Sequence, residues 1–447
     1  MPEVGIVGGG FLGLTLAWRL QAAGHRVTII EAAPEPGGLA APAALGGFTW
    51  DRFYHVILLS DGHLRGLLAE LGLEDRLRFG TTRTGFYTDG TLYSLSTSLE
   101  FLRFPPLGLI DKARLAATIL RASRIADGRP LEQVPVTDWL IKWSGYRTFE
   151  RIWLPLLKSK LGENYRHASA SFIWAIIARM YAARRSGLKQ ERFGYVEGGY
   201  AAVLGRFRER LAAAGVTIRT GRAATRVESG SEPRVTVTLE GGTALQFDDV
   251  ILTVPCGRVA ALCPGLDAAE RARLAAVTYQ GIACASLLLR QPLAPYYVTN
   301  ITESWVPFTA VIEMTTLVDR AAFGGHSLVY LPRYLTQDDA FWQRTDAEIR
   351  ADFTAALARM YPAFRPEDVL AFQVSRVREV LALSTLNYSA ERLPPTTTSL
   401  PGVHVVNSAQ IANGTLNLNE TVGLATEKAR EVGVRLGRRV PADAPAP

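Results

Sequence analysis

A chain of 447 residues is long enough for two or three domains with substantial cores, and 48 % apolar against 20 % charged residues marks it as globular. Its net charge of +7 comes from scattered arginines with no dense basic block, which argues against nucleic-acid binding and favours an acidic substrate or an anionic membrane surface. No run reaches the ~20 apolar residues of a membrane span. The apolar start at Val4 is broken by glycines and does not read as a secretory leader. Cys256, Cys263 and Cys284 give neither a disulfide framework nor a C-x-x-C pair, so the expected setting is the cytoplasm. The six histidines show no metal-ligand spacing, and no metal is expected.

Val4, Ile6 and Val7 predict a short buried strand. Gly8, Gly10 and Gly13 follow at G-x-G-x-x-G spacing around Phe11 and Leu12, and Leu14, Leu16, Ala17 and Leu20 form the apolar face of a helix closed by Gly24. Residues 27–30 read as a second strand, ended by Glu31 and Ala32. This strand–turn–helix context with a following acid predicts a dinucleotide site. Gly8 permits the tight turn, Gly10 admits the pyrophosphate, and Gly13 lets helix and strand pack closely. The helix N-terminus offers free N–H groups to the phosphates, and Glu31 accepts hydrogen bonds from the ribose hydroxyls.

Further along, Leu64, Leu67, Leu68 and Leu71 predict a helix capped by Ser60 or Asp61. Residues 86–93 read as a hairpin around Asp89 and Gly90. Residues 98–183 are helical and rich in aromatics. A helix and then strands fill 204–254, with turn signals at Ser229, Gly230 and Ser231 and at Gly241 and Gly242. Strands of a second sheet are expected at 282–289, 309–314, 327–331 and 369–377, a buried strand at 403–406, and a last helix at 420–436. The expected division is a cofactor domain from 1–80, 191–275 and 396–440, a substrate domain from 81–190 and 276–395, and a frayed tail at 441–447.

After Glu31 the chain runs through Ala32 to Gly37, Gly38 and Leu39, a glycine pair that lets a loop lie flat on the cofactor's phosphates and sugar. This resembles the extended fingerprint of FAD enzymes of the glutathione-reductase superfamily, and within it the flavin amine oxidase branch that includes protoporphyrinogen oxidases and carotenoid desaturases. The resemblance resumes at Gly47 through His55, at Glu197 through Tyr200, at Asp249 through Pro255, and along the C-terminal strand and helix. It implies an α/β fold: a Rossmann-like FAD-binding domain with a mixed parallel sheet built from discontinuous segments, plus a substrate domain with an antiparallel sheet and a helical insert. It implies non-covalent FAD, with Val227, Thr253, Pro255, Ser408, Asn419, Thr421 and Val422 joining the N-terminal motif residues as cofactor contacts. The N-terminus of the last helix, with Asn419 as its cap, would face the flavin's N1–C2=O edge. The family's Gly-Asp after the last strand is replaced here by Asn407 and Ser408. With no second G-x-G-x-x-G, no NAD(P)H domain is expected, and electrons would leave to dioxygen or a quinone.

The candidate chemistry residues are His55, Lys158 (with Lys160 nearby) and Glu313. Each has a bland alternative: a core histidine, a snorkelling lysine, an acid facing solvent. Residues 101–121 mix aromatic, apolar and basic residues at helical spacing, which suits either a peripheral membrane contact or a helix packed on its own domain. Trp139, Trp143, Trp153 and Trp174 read as core that could also line a tunnel. The expected activity is dehydrogenation of a largely apolar small molecule by hydride transfer to flavin N5. The alternatives are a non-redox flavin enzyme, either a lipid isomerase or a relative of UDP-galactopyranose mutases using Arg179, Arg184 and Arg185, and a lipid carrier of the same fold. The intact Gly8, Gly10, Gly13 and Glu31 disfavour the carrier.

Overall fold

The computed structural model describes residues 1–184, 192–230 and 234–435. Arg185, Ser231, the tail 441–447 and the side chain of Arg184 lie outside the described residues, as does the end of the last expected helix.

Five parallel strands form the first sheet. β1 (Glu3–Val7) sits at its centre, between β2 (Arg26–Ile30) and Asp249–Leu252; Thr217–Arg219 and Val403–Val405 are the edges. Apolar runs such as Val4 to Val7 and Val250 to Leu252 are what a parallel sheet covered on both faces requires. Helix α1 (Phe11–Ala22) buries Leu14, Leu16 and Leu20 completely, packing on the C-terminal helix Leu418–Arg435 through Val422, Ala425, Ala429 and Val432. Burial of each such leucine contributes about 1.5–3 kcal/mol. The strands and helices of this layer come from both ends and the middle of the chain, so the expected assembly from discontinuous segments is what forms.

The second sheet has seven strands, in the order Val369–Ala382, Tyr279–Leu289, Ser327–Leu335, Ala310–Glu313, Val298–Ile301, Thr84–Thr88 and Thr91–Ser94. All pairings are antiparallel except that between Val298–Ile301 and Thr84–Thr88. The last two strands are the expected hairpin, turned through positive φ at Asp89 (50°) and Gly90 (71°). Val298–Ile301 was not expected as a strand, and the strand expected to end near 377 runs on to Ala382.

The helical insert holds Ser98–Arg103, Leu109–Arg124, Val136–Ser144, Leu154–Leu161 and Ala170–Arg184. Trp139, Trp153 and Trp174 are buried in its core; Trp143 packs at the edge beneath the Arg121 guanidinium, 3.7 Å from the ring centroid. Three of these rings therefore belong to the core of the insert, and the fourth packs against it. Among the described residues no helix is long and apolar enough to cross a membrane.

Candidate functional site

Three glycines at the carboxyl end of β1 are bare for different reasons. Gly8 has φ +111°, and a Cβ there would lie 2.3 Å from the Thr253 hydroxyl, which bonds the Val7 and Gly8 carbonyls. A Cβ on Gly13 would lie 2.0 Å from the Gly8 carbonyl oxygen. The fold itself demands both. Gly10 is different: its backbone (φ −67°, ψ 174°) suits any residue, and a Cβ would point into open space, with the Gly38 Cα nearest at 3.9 Å. No contact within the protein requires glycine there, whereas a group lying against the start of α1 would.

The rest of the cradle closes around that space. The Gly37 N–H donates to the Gly9 carbonyl at 2.8 Å, and Gly37 and Gly38 both have positive φ. The Glu31 carboxylate accepts the N–H groups of Gly9 (2.6 Å) and Ala33 (2.8 Å), which fixes it at the end of β2. Arg52 donates to the Gly38 carbonyl at 2.7 Å. At the start of α1 the first N–H groups have no intrahelical partner.

From this cradle a cavity of about 510 Å³ runs to the C-terminal helix, within the range of about 300–1,000 Å³ common for ligand sites. Gly8, Gly10, Phe11, Leu12, Glu31, Gly37, Gly38, Leu39, Thr253, Pro255, Ser408 and Thr421 border it, as does His55. One wall is a row across the second sheet: Ile282 pairs with Tyr334 on one side and Val377 on the other. At the far end Asn417 accepts the Glu420 N–H at 3.0 Å and so caps the last helix. That turns the helix's free N–H groups and partial positive charge toward the cavity.

Several expected contacts lie elsewhere. Asn419 is not the cap; its side-chain oxygen accepts the Leu64 N–H at 3.1 Å and ties this helix to Gly62–Glu70. Val422 is sealed in the core between the helices and Val227 in the core of the strand layer Ala224–Ser229. Ala32 is exposed beside the cavity's acid and does not border the space. Gly13 acts through packing alone. Asn407 turns inward, donating to the Val254 carbonyl at 2.9 Å, and leaves Ser408 to face the cavity.

The three candidate chemistry residues also separate. His55 borders the cavity; burial pushes its imidazole down to about 4, against a weaker backbone hydrogen bond at Phe53, so the ring is neutral near pH 7. Its Nδ1 is 4.0 Å from Asp51, a buried acid that accepts the Tyr200 N–H and is pushed up to about 7 by burial. Lys158 is a correction: its side chain is exposed, 6.0 Å from the Tyr165 ring centroid, and does not reach the cavity. Two residues along a helix is about 200° of rotation, so Lys160 faces inward instead and donates to the Tyr334 hydroxyl at 3.3 Å.

Glu313 is a second correction. It is buried, yet its carboxylate accepts the Leu293 N–H at 3.1 Å and the Ala294 N–H at 3.1 Å, holding a turn away from the cavity. Burial pushes this group from 4.5 up to about 7. An acid raised on folding contributes stability that is full below about pH 4.5 and lost as pH rises through about 7. Asp51 acts in the same direction; His55, lowered on folding, acts oppositely, its contribution being lost as pH falls from 6.5 toward 4. Glu313→Gln is expected to keep flavin and turnover while flattening the stability loss across that upper window, measured by denaturant titration at several pH values. A variant with normal folding and no turnover would restore Glu313 to the site.

Arg52, Tyr54, Tyr334, Glu379 and Asn417 border the cavity and were not singled out from the sequence. Arg52 and Tyr54 lie within the stretch from Gly47 to His55 that carries part of the family resemblance, so the signal was present. Tyr334 lies past the expected end of its strand and gave none.

A parallel sheet whose central strand feeds a bare cradle, with an acid on the next strand, defines a dinucleotide-binding α/β class. The chain belongs to the flavin containing amine oxidoreductase family, whose model it matches over residues 13–417. It is 29 % identical over 281 residues to coproporphyrinogen III oxidase of Mycobacterium tuberculosis, a match covering 58 % of this chain and 60 % of that relative. The match therefore spans less than two thirds of that relative's length. A solved, provisionally assigned protoporphyrinogen oxidase from Exiguobacterium is similar in fold, with TM-score 0.76 and 20 % identity over 97 % of this chain and 99 % of that one. Reduced UDP-galactopyranose mutase shares the fold at TM-score 0.74 and 16 % identity, over 98 % of this chain and 96 % of that one.

Proposed function

We propose that the protein dehydrogenates a largely apolar small molecule, with FAD held non-covalently and dioxygen or a quinone as the final electron acceptor. The observation that carries this reading is the cavity itself: it leads from the open space at Gly10 to an apolar wall of Ile282, Val377 and Val380. Bound FAD would supply a two-electron oxidant there. Gly10, Gly38 and the start of α1 would hold its diphosphate, Glu31 its ribose, and Ser408, Asn417 and Thr421 the flavin end. The chain's own contribution is then to place an apolar substrate and exclude water, which accounts for much of the rate in such a reaction. A neutral His55 can donate or accept one hydrogen bond without bringing charge into this space. In this reading residues 1–80, 191–275 and 396–440 serve the cofactor, and 81–190 and 276–395 the substrate.

A peripheral membrane contact is part of the proposal. Leu99, Leu102, Leu109 and Ile110 are exposed on Ser98–Arg103 and Leu109–Arg124, beside Arg103, an arrangement suited to a lipid interface. A mutase reading is weakened because Arg179 is already paired with buried Asp61 at 2.9 Å. Anaerobic mixing tests the choice. Coproporphyrinogen, named for the mycobacterial relative, is expected to bleach the yellow flavin band. Turnover of UDP-galactopyranose by the reduced protein with no acceptor consumed would overturn dehydrogenation.

A further inference from the structure

At one side of the cavity three side chains from distant segments form a hydrogen-bonded chain. Lys160, on Leu154–Leu161, reaches the Tyr334 hydroxyl at 3.3 Å and lies 4.5 Å from that ring's centroid. The Tyr334 hydroxyl is 2.8 Å from that of Tyr54, and both tyrosines border the cavity. No carboxylate among the described residues lies within 4.0 Å of the Lys160 ammonium, so this half-buried cation has no ion-pair partner there. The cavity's own acids are placed elsewhere: Glu31 at the end of β2, and Glu379 beside Gly257, where a Cβ would lie 3.6 Å from its carboxylate.

The direction of the chain follows from donor counting. An ammonium only donates, so the Tyr334 oxygen accepts from Lys160. The two phenols carry two protons, and one of these lies between their oxygens. The other is left over and belongs to one of these two tyrosines, both of which border the cavity. Burial and the neighbouring Tyr334 hold the Tyr54 phenol well above its ordinary value, so it stays protonated and remains a donor. The result is a neutral donor polarised by a cation behind it. Such an arrangement favours an anionic acceptor and disfavours an ammonium group.

We propose that Lys160, Tyr334 and Tyr54 form a donor relay that binds a carboxylate carried by the otherwise apolar substrate. The inference rests on the dehydrogenation reading of the same cavity and names a feature of the substrate that this reading leaves open. The relay makes and breaks no covalent bond; it positions the substrate.

The test is spectroscopic titration of the flavin-loaded protein with benzoate, benzylamine and benzyl alcohol. Benzoate is expected to perturb the flavin band at a Kd at least about tenfold below that of benzylamine. Lys160→Met and Tyr334→Phe are each expected to weaken benzoate about tenfold, with benzyl alcohol changed much less. Equal affinity for benzoate and benzylamine, no saturable benzoate signal, or full benzoate affinity in both variants would overturn the proposal. So would a variant that folds but loses flavin, since these side chains would then belong to cofactor binding. Bleaching by substrate is read separately, so failure of the relay and failure of dehydrogenation are distinguishable.

Discussion

Gly10→Val is expected to give a folded, colourless protein. The backbone at Gly10 is extended and the position where a side chain would start faces open space, with nothing closer than 3.9 Å. The flavin-free variant should therefore lose no more than about 1 kcal/mol against flavin-free wild type, because valine is a poorer residue than glycine at the start of a helix. The comparison has to be made without cofactor, because a ligand that binds only the folded state raises its apparent stability. The valine would occupy the space in which the diphosphate meets the amides of α1. Losing charge-assisted hydrogen bonds worth roughly 1.5–3 kcal/mol each predicts FAD affinity at least about a hundredfold lower, measured by calorimetry. A variant that keeps its flavin would show that Gly10 does not face the cofactor.

Gly13→Ala should do the opposite and damage the fold first. The added methyl would sit 2.0 Å from the Gly8 carbonyl oxygen and 3.2 Å from its carbon. Both belong to backbone, so relief requires α1 to move away from β1. Alanine gains up to about 1 kcal/mol over glycine in a helix interior, but overpacking a rigid contact commonly costs about 1–3 kcal/mol and more when backbone must shift. A net loss of about 2 kcal/mol or more is expected in the denaturation free energy of the flavin-free protein. An unchanged or raised midpoint would mean that α1 and β1 are less closely packed. Together the two variants separate glycines kept for the fold from a glycine kept for a ligand.

The N-terminal strand–turn–helix was legible because its signals are local: apolar period, glycine spacing and a following acid occur within about thirty residues. The second sheet was legible where strands are long and apolar. It was missed at Val298–Ile301, a short strand shortly after Pro295 whose partners, Thr84–Thr88 and Ala310–Glu313, lie on either side of it in sequence. The errors at the site share a cause. Burial of Glu313 could be read from its apolar neighbours, but not that its carboxylate would go to a turn twenty residues earlier. Asn417 and Asn419 are the same residue type two positions apart, and the offset to Glu420 decides which one caps. Lys158 and Lys160 differ only in which side of a short helix they occupy. Tyr54 and Tyr334, 280 residues apart, meet only through tertiary packing.

The central claim is that an adenine cofactor's diphosphate lies against the opening of α1, and a crystal structure of the flavin-loaded protein tests it most directly. The account predicts phosphate oxygens at the amides of Phe11 and Leu12 beside Gly10, ribose hydroxyls at Glu31, and the flavin ring end beside Asn417 and Thr421. Flavin bound elsewhere in the molecule, or a cradle closed by protein atoms in the loaded crystal, would contradict it.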